Sequence, residues 1–127
     1  MKVLALDYGS ARTGVAVSDP TGTVARPLCV VERAGTEPGL ARLRELVEEE
    51  GVERVVVGLP LTLRGTHGEQ ARETERFVEG LRSAVHVPIE TFDERFTTTL
   101  AGPGEGDDAR AAAHLLSSYL EWSSRRI

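Results

Sequence analysis

Apolar positions along the chain change their period part-way. Residues 2–7 (KVLALD), 13–19 (TGVAVSD) and 24–31 (VARPLCVV) are short runs rich in strand formers, separated by turns containing Gly and Pro. They predict three strands joined as an antiparallel meander. Pro27 lies inside the third run and cannot donate to a ladder, so that strand belongs at an edge. From residue 40 to 50 the apolar positions are Leu40, Leu43, Leu46 and Val47, a helical spacing, and Gly51 follows as a stop. Residues 53–59 (ERVVVGL) form a continuous apolar run of the kind buried on both faces of a parallel sheet. A polar loop leads into a helix over 69–83, with Ala71, Thr74, Phe77, Val78 and Leu81 on one face. Residues 86–92 predict a fifth strand, 101–106 (AGPGEG) a flexible linker, and 107–124 a last helix burying Ala112, Leu115, Leu116, Tyr119 and Leu120. The order βββ-α-β-α-β-α predicts one α/β domain over 1–127. Its five-stranded mixed sheet has three antiparallel strands, then two parallel to the first, flanked by helices.

Composition narrows the class. The 127 residues carry 40% hydrophobic and 28% charged residues, ordinary for a soluble globular domain. No apolar stretch is long enough to span a bilayer, and the start does not read as a signal peptide. The single cysteine, Cys29, excludes an internal disulfide and fits a reducing compartment, so a cytoplasmic location is expected. The net charge of -5 runs against the basic surface usual in nucleic-acid binders. Carboxylates gathered around a divalent cation would enter that sum as negative charge while the bound ion reverses the local sign. Lys2 is the only lysine among 15 basic residues, and the guanidinium of Arg is the better match to a phosphate.

Three acids carry the candidate chemistry. Asp7 ends the first strand. Asp93 and Glu94 end the fifth. If the two strands run parallel, their C-terminal ends share the sheet edge where open sheets gather ligands. Asp107 and Asp108 open the last helix. Asp107 sits at the N-cap position, and Asp108 lies on the stripe that continues through Ala112, Leu115 and Tyr119 toward the sheet. A carboxylate on a buried stripe needs a partner. Asp7, Glu94 and Asp108 converging on one point would repel one another unless a hard dication such as Mg²⁺ or Mn²⁺ joined them, and such ions serve phosphoryl chemistry. Each acid also has an ordinary role, as turn former, surface ion pair or helix cap; it is their agreement that points to a site.

The segments ALDYGSARTGVAVSD (5–19), VVVGLPLTLRGTHGEQA (55–71), FDERFTTT (92–99) and DARAAAHLLSSYLEW (108–122) resemble the YqgF/RuvX family. Its members look like RuvC-type Holliday junction resolvases and are also described as pre-16S ribosomal RNA nucleases. The resemblance covers residues 2 to 122 and implies an RNase H-like fold and a phosphodiester-hydrolysing site. By position it assigns Asp7, Glu94 and Asp108 as catalytic and metal-holding. Gly9, Arg12, Thr13 and Gly14 match the first hairpin, and Arg95 and Thr98 follow the glutamate. Gly9, Arg12, Thr13, Arg95 and Thr98 are the expected nucleic-acid contacts, with Arg12 and Arg95 touching phosphate or bracing the carboxylates. The chain departs from the family in the short segment of 13 residues between Glu94 and Asp108 and in Thr62, Leu63 and Arg64, where the family has polar Asn and Asp. His67 in that loop reads as a surface histidine, and Trp122 as packed on the domain rather than in a dimer.

The expected activity is a metal-dependent endonuclease on structured nucleic acid, with precursor ribosomal RNA maturation ahead of Holliday junction resolution. The protein is expected as a monomer or homodimer, with no membrane partner. An ATPase or kinase lobe is disfavoured by length and by the lack of a Walker-type Gly-Lys-Ser/Thr. A non-catalytic nucleic-acid-binding module would hardly set acids where phosphate must lie.

Overall fold

The apolar runs VLAL and VVVGL become the two central strands of the sheet. The computed structural model describes residues 1–62, 64–96 and 108–125. Strand β1 (Val3–Asp7) pairs antiparallel with β2 (Arg12–Ser18), and β2 pairs antiparallel with β3 (Ala25–Glu32). β4 (Arg54–Leu59) runs parallel to β1, and β5 (Ile89–Asp93) parallel to β4. The sheet order is β3-β2-β1-β4-β5. Helices α1 (Glu37–Glu50), α2 (Glu69–Ala84) and α3 (Asp108–Ser124) complete the fold.

Because side chains alternate across a strand, the sheet carries two cores. Leu4, Leu6, Val15, Val17, Val55 and Val57 pack with Leu43, Leu46 and Val47 of α1 and Phe77, Val78 and Leu81 of α2. On the other face Val3, Ala5, Ala16, Val56 and Phe92 pack with Ala112, Leu115, Leu116, Tyr119 and Leu120 of α3. Two-sided burial is why the central strands read as unbroken apolar runs.

β3 is an outer strand, as Pro27 requires. Its register passes from Cys29 opposite Val15 to Pro27 opposite Ala16, so Leu28 is an extra residue and forms a bulge. Helix α1 begins earlier than the apolar spacing indicated. Thr36 is its N-cap, the Thr36 Oγ1 accepting from Gly39 N–H at 3.4 Å, and Pro38 occupies the first turn. That turn carries no core residue before Gly39, so hydrophobic period alone could not locate it. β5 starts at Ile89 rather than residue 86, beyond Pro88, which has no N–H to give. The expected linker at 101–106 and the Asp107 cap lie outside the described residues. Among the described residues no helix is long and apolar enough to cross a membrane.

Candidate active site at the carboxyl edge of the sheet

β1 and β5 are both parallel to β4, so Asp7 and Glu94 leave the sheet at the same edge. Asp7 has the parity of Val3 and Ala5 and therefore belongs to the α3 face. Glu94 opens a single 3-10 turn directly after β5. Asp108 is the first residue of α3. Register ties the three together: Asp7 pairs with Gly14, Leu6 with Val57 one position before Gly58, and Leu59 with Asp93.

Two glycines make room for this convergence. A β-carbon on Gly14 would stand 1.8 Å from the backbone oxygen of Asp108, so the opening turn of α3 rests directly on the β2 backbone. A β-carbon on Gly58 would stand 2.6 Å from Glu94 Oε1 and 3.0 Å from both Glu94 Cγ and Leu115 Cδ2. A glycine inside a strand often marks a close approach of this kind. Gly58 was missed in the sequence; a Gly interrupting VVVGLP was the available signal.

The acids shift one another. Burial pushes the Glu94 carboxyl up from 4.5 to about 7, helped by the charge of Asp7, by the hydrogen bond between them and by Asp93. Burial also raises Asp7, and the charge of Asp108 adds to it, while the hydrogen bond from Glu94 works the other way. Both shifts favour a proton on the pair, in the sense of Glu94 donating its hydrogen bond to Asp7. Asp108 lies within electrostatic range of Asp7. Its Oδ2 is buried and accepts no hydrogen bond among the described residues, although the Arg12 Nε stands 3.2 Å away. The guanidinium is close enough for ion pairing, but its N–H is not aimed at the oxygen.

Among the described residues no three carboxylate, imidazole or thiol groups already form a single coordination cluster. Bare carboxylates repel; here a hydrogen bond joins Asp7 and Glu94, and Arg12 draws Asp108. The set still fits a hard dication: all its donors are oxygens, and Asp108 Oδ2 is buried with no hydrogen bond among the described residues.

The other expected contacts divide. Arg12 is largely exposed and braces Asp108. Thr13 is fully buried; it exchanges two 3.3 Å hydrogen bonds with the Gly9 backbone, so both residues shape the hairpin after Asp7. A β-carbon on Gly9 would meet the Arg12 carbonyl at 2.5 Å. Arg95 is clamped on Asp93: its Nε lies 2.9 Å from Oδ2, and its backbone N–H donates to Oδ1 at 2.9 Å. That clamp holds Asp93 below the usual carboxylate range. Arg95 thus has the ion-pair role weighed for it, with its guanidinium against Gly65 of the loop after β4. Thr98 lies outside the described residues. His67 is half exposed and sits 3.6 Å from Glu75. Trp122 packs on Phe92 and Tyr119.

The family model described as "RuvX: Holliday junction resolvase" matches residues 1–122. The chain belongs to the RuvX family. This RuvX-family chain is 48% identical to a Chloroflexus aggregans protein named "Putative pre-16S rRNA nuclease", with 94% of this chain and 92% of that one covered. A Rubrobacter xylanophilus protein of the same name is 49% identical at the same coverages. One from Syntrophomonas wolfei is 37% identical, covering 98% and 96%. Among solved structures, Thermus thermophilus RuvC in complex with a Holliday junction substrate superposes with a TM-score of 0.65. It is 19% identical and covers 98% of this chain and 96% of its own. The same RuvC alone gives 0.64 at 18% identity, covering 98% and 97%. The RNase H-like fold expected from the sequence stands, and family membership supports the nuclease class.

Proposed function

We propose that this RuvX-family chain is a metal-dependent endonuclease that matures the 5′ end of precursor 16S ribosomal RNA in the cytoplasm. The observation that carries the reading is the hydrogen-bonded pair of Asp7 and Glu94, with the buried Asp108 Oδ2, which accepts no hydrogen bond among the described residues, within electrostatic range of Asp7. Charges placed this way are costly in an apolar edge and are kept where a cation is to be held. Asp7, Glu94 and Asp108 would hold Mg²⁺ or Mn²⁺. Bound there, the ion would supply Lewis-acid stabilisation for negative charge building on a phosphodiester under attack by water. Glu94 must give up its proton before the site accepts a dication. Arg12 holds Asp108 at the rim, and the Asp93–Arg95 clamp fixes the turn that carries Glu94. The curated relatives' name supports the RNA substrate.

A second reading is Holliday junction resolution, favoured by the family model's description and the RuvC-like fold. Symmetric cutting of a four-way junction calls for a two-fold dimer, whereas end maturation can be done by a monomer. One experiment tests both. Purified protein is given a precursor 16S RNA 5′ end or a four-way DNA junction, with Mg²⁺, Mn²⁺ or chelator. Cutting is expected on the RNA with metal only, and Asp7→Asn is expected to reduce it by at least about 100-fold. Equal cutting by Asp7→Asn would remove the acids from the mechanism. Metal-dependent cutting of the junction alone would favour the second reading.

A further inference from the structure

Four of the ion pairs among the described residues lie toward the sheet edge away from Asp7. Lys2 and Arg26 pair with Glu50, Arg54 with Glu90, and Arg125 with Glu121. At the opposite edge Arg12 and Arg95 are engaged by Asp108 and Asp93. Arg33 differs from all of these. It is exposed, and like Arg44, Arg64, Arg72 and Arg76 it has no ion pair to a carboxylate among the described residues, so its backbone is what sets it apart. Its φ is 47°, the only positive value among described residues other than glycine. An L residue adopts that shape at a cost, and glycine adopts it freely.

The backbone shape has its own explanation. The Arg33 N–H donates to the Ala11 carbonyl at 3.0 Å, and the Arg33 carbonyl accepts from Thr36 N–H at 3.0 Å and from Thr36 Oγ1 at 2.7 Å. These bonds join the hairpin after Asp7 to the start of α1. None of them uses the side chain, so Gly or Asn would hold the turn as well or better. A strained residue whose side chain the turn does not need is a candidate for a role outside the fold.

Position says which role. Arg33 follows Glu32, the register partner of Arg12, at the same sheet edge as Asp7. β3 is two strands from β1, roughly 10 Å at the usual strand spacing. A free guanidinium there matches a backbone phosphate.

We propose that Arg33 takes a backbone phosphate of the nucleic-acid strand lying across Asp7, on the β3 flank of the site. The proposal rests on the nuclease reading above. Its test separates binding from cutting. Affinity for the precursor 16S RNA end and for the DNA junction is measured in chelator across a salt series, and cutting is measured with Mn²⁺. Arg33→Gly and Arg33→Asn both suit the turn and are expected to melt within about 2 °C of the parent. On the probe the parent cuts, they lose affinity by about 5–10-fold. Their log–log salt dependence becomes shallower by about 0.7–0.9, one phosphate's share. KM rises by a similar factor, with kcat within about twofold. Arg33→Lys keeps affinity within about threefold of the parent. Parental affinity and salt slope in the Gly and Asn variants overturn the proposal, as does a loss of affinity that only follows a large fall in melting temperature. A parent that neither binds nor cuts nucleic acid overturns the nuclease reading as well. A parent that cuts, with variants that bind equally, overturns only the role of Arg33.

Discussion

Position 58 leaves no room for a β-carbon beside Glu94. In Gly58→Ala the new methyl would meet Glu94 Oε1 and Leu115 Cδ2, both at the ends of flexible side chains. The cheapest relief is for the carboxylate to swing away, so the stability cost is expected to be about 1 kcal/mol, at the low end for overpacking. Metal-dependent cutting is expected to fall by at least about 10-fold. Melting temperature and cutting rate of the purified variant check the two separately; full activity would mean that Glu94 need not sit beside Asp7. The acids stood out as candidates in the sequence only together, because each alone has an ordinary role and their places agreed. Gly58 did not, since the atoms that forbid a side chain there come from β5's exit and α3, far along the chain. Thr13 was legible only as part of a motif; its burial and its bonds to Gly9 depend on how the hairpin closes.

At the scale of elements, hydrophobic period located the strands and the bodies of the helices, because burial sets that period directly. It failed where polar chemistry governs. The start of α1 is set by the Thr36 hydroxyl and Pro38, and the start of β5 by the missing donor of Pro88. Thr36 is a cap whose worth can be measured. Thr36→Ala removes the acceptor for Gly39 N–H and the donor to the Arg33 carbonyl, and is expected to destabilise the protein by about 1 kcal/mol. Denaturant unfolding checks this, read as a lower midpoint at unchanged slope. Pro27 was read correctly as an edge signal, but the bulge at Leu28 was not visible. A bulge is a mismatch between two strands, and neither strand contains it alone.

For the whole molecule, the raised carboxyls make metal-free stability depend on pH. Glu94 titrates near 7 in the folded protein against 4.5 ordinarily, so folding tightens its hold on a proton. The resulting stability is fully present below about 4.5 and is lost as pH rises through about 7. Asp7 acts in the same direction. Asp19 and Asp93 are held low and act oppositely, but only in more acidic solution. In chelator, the melting temperature is therefore expected to fall between about pH 5 and pH 7.5, and Glu94→Gln to flatten that slope. A wild-type profile already flat across the interval would mean that the proton is not held as described. The same pair predicts that a dication displaces a proton on binding, so apparent metal affinity should tighten with pH over this interval.

The contact of α3 with Gly14 has a consequence for how finely the third acid is placed. With backbone pressed on backbone at that point, the helix has no cushion of side chains on which to roll or creep. A slip of one residue along the chain would turn the helix by about 100° and carry the Asp108 oxygen away from its neighbours altogether. Position 108 therefore behaves as a key cut to a single depth. A shift in the seating of α3 on β2 would move that oxygen off its place.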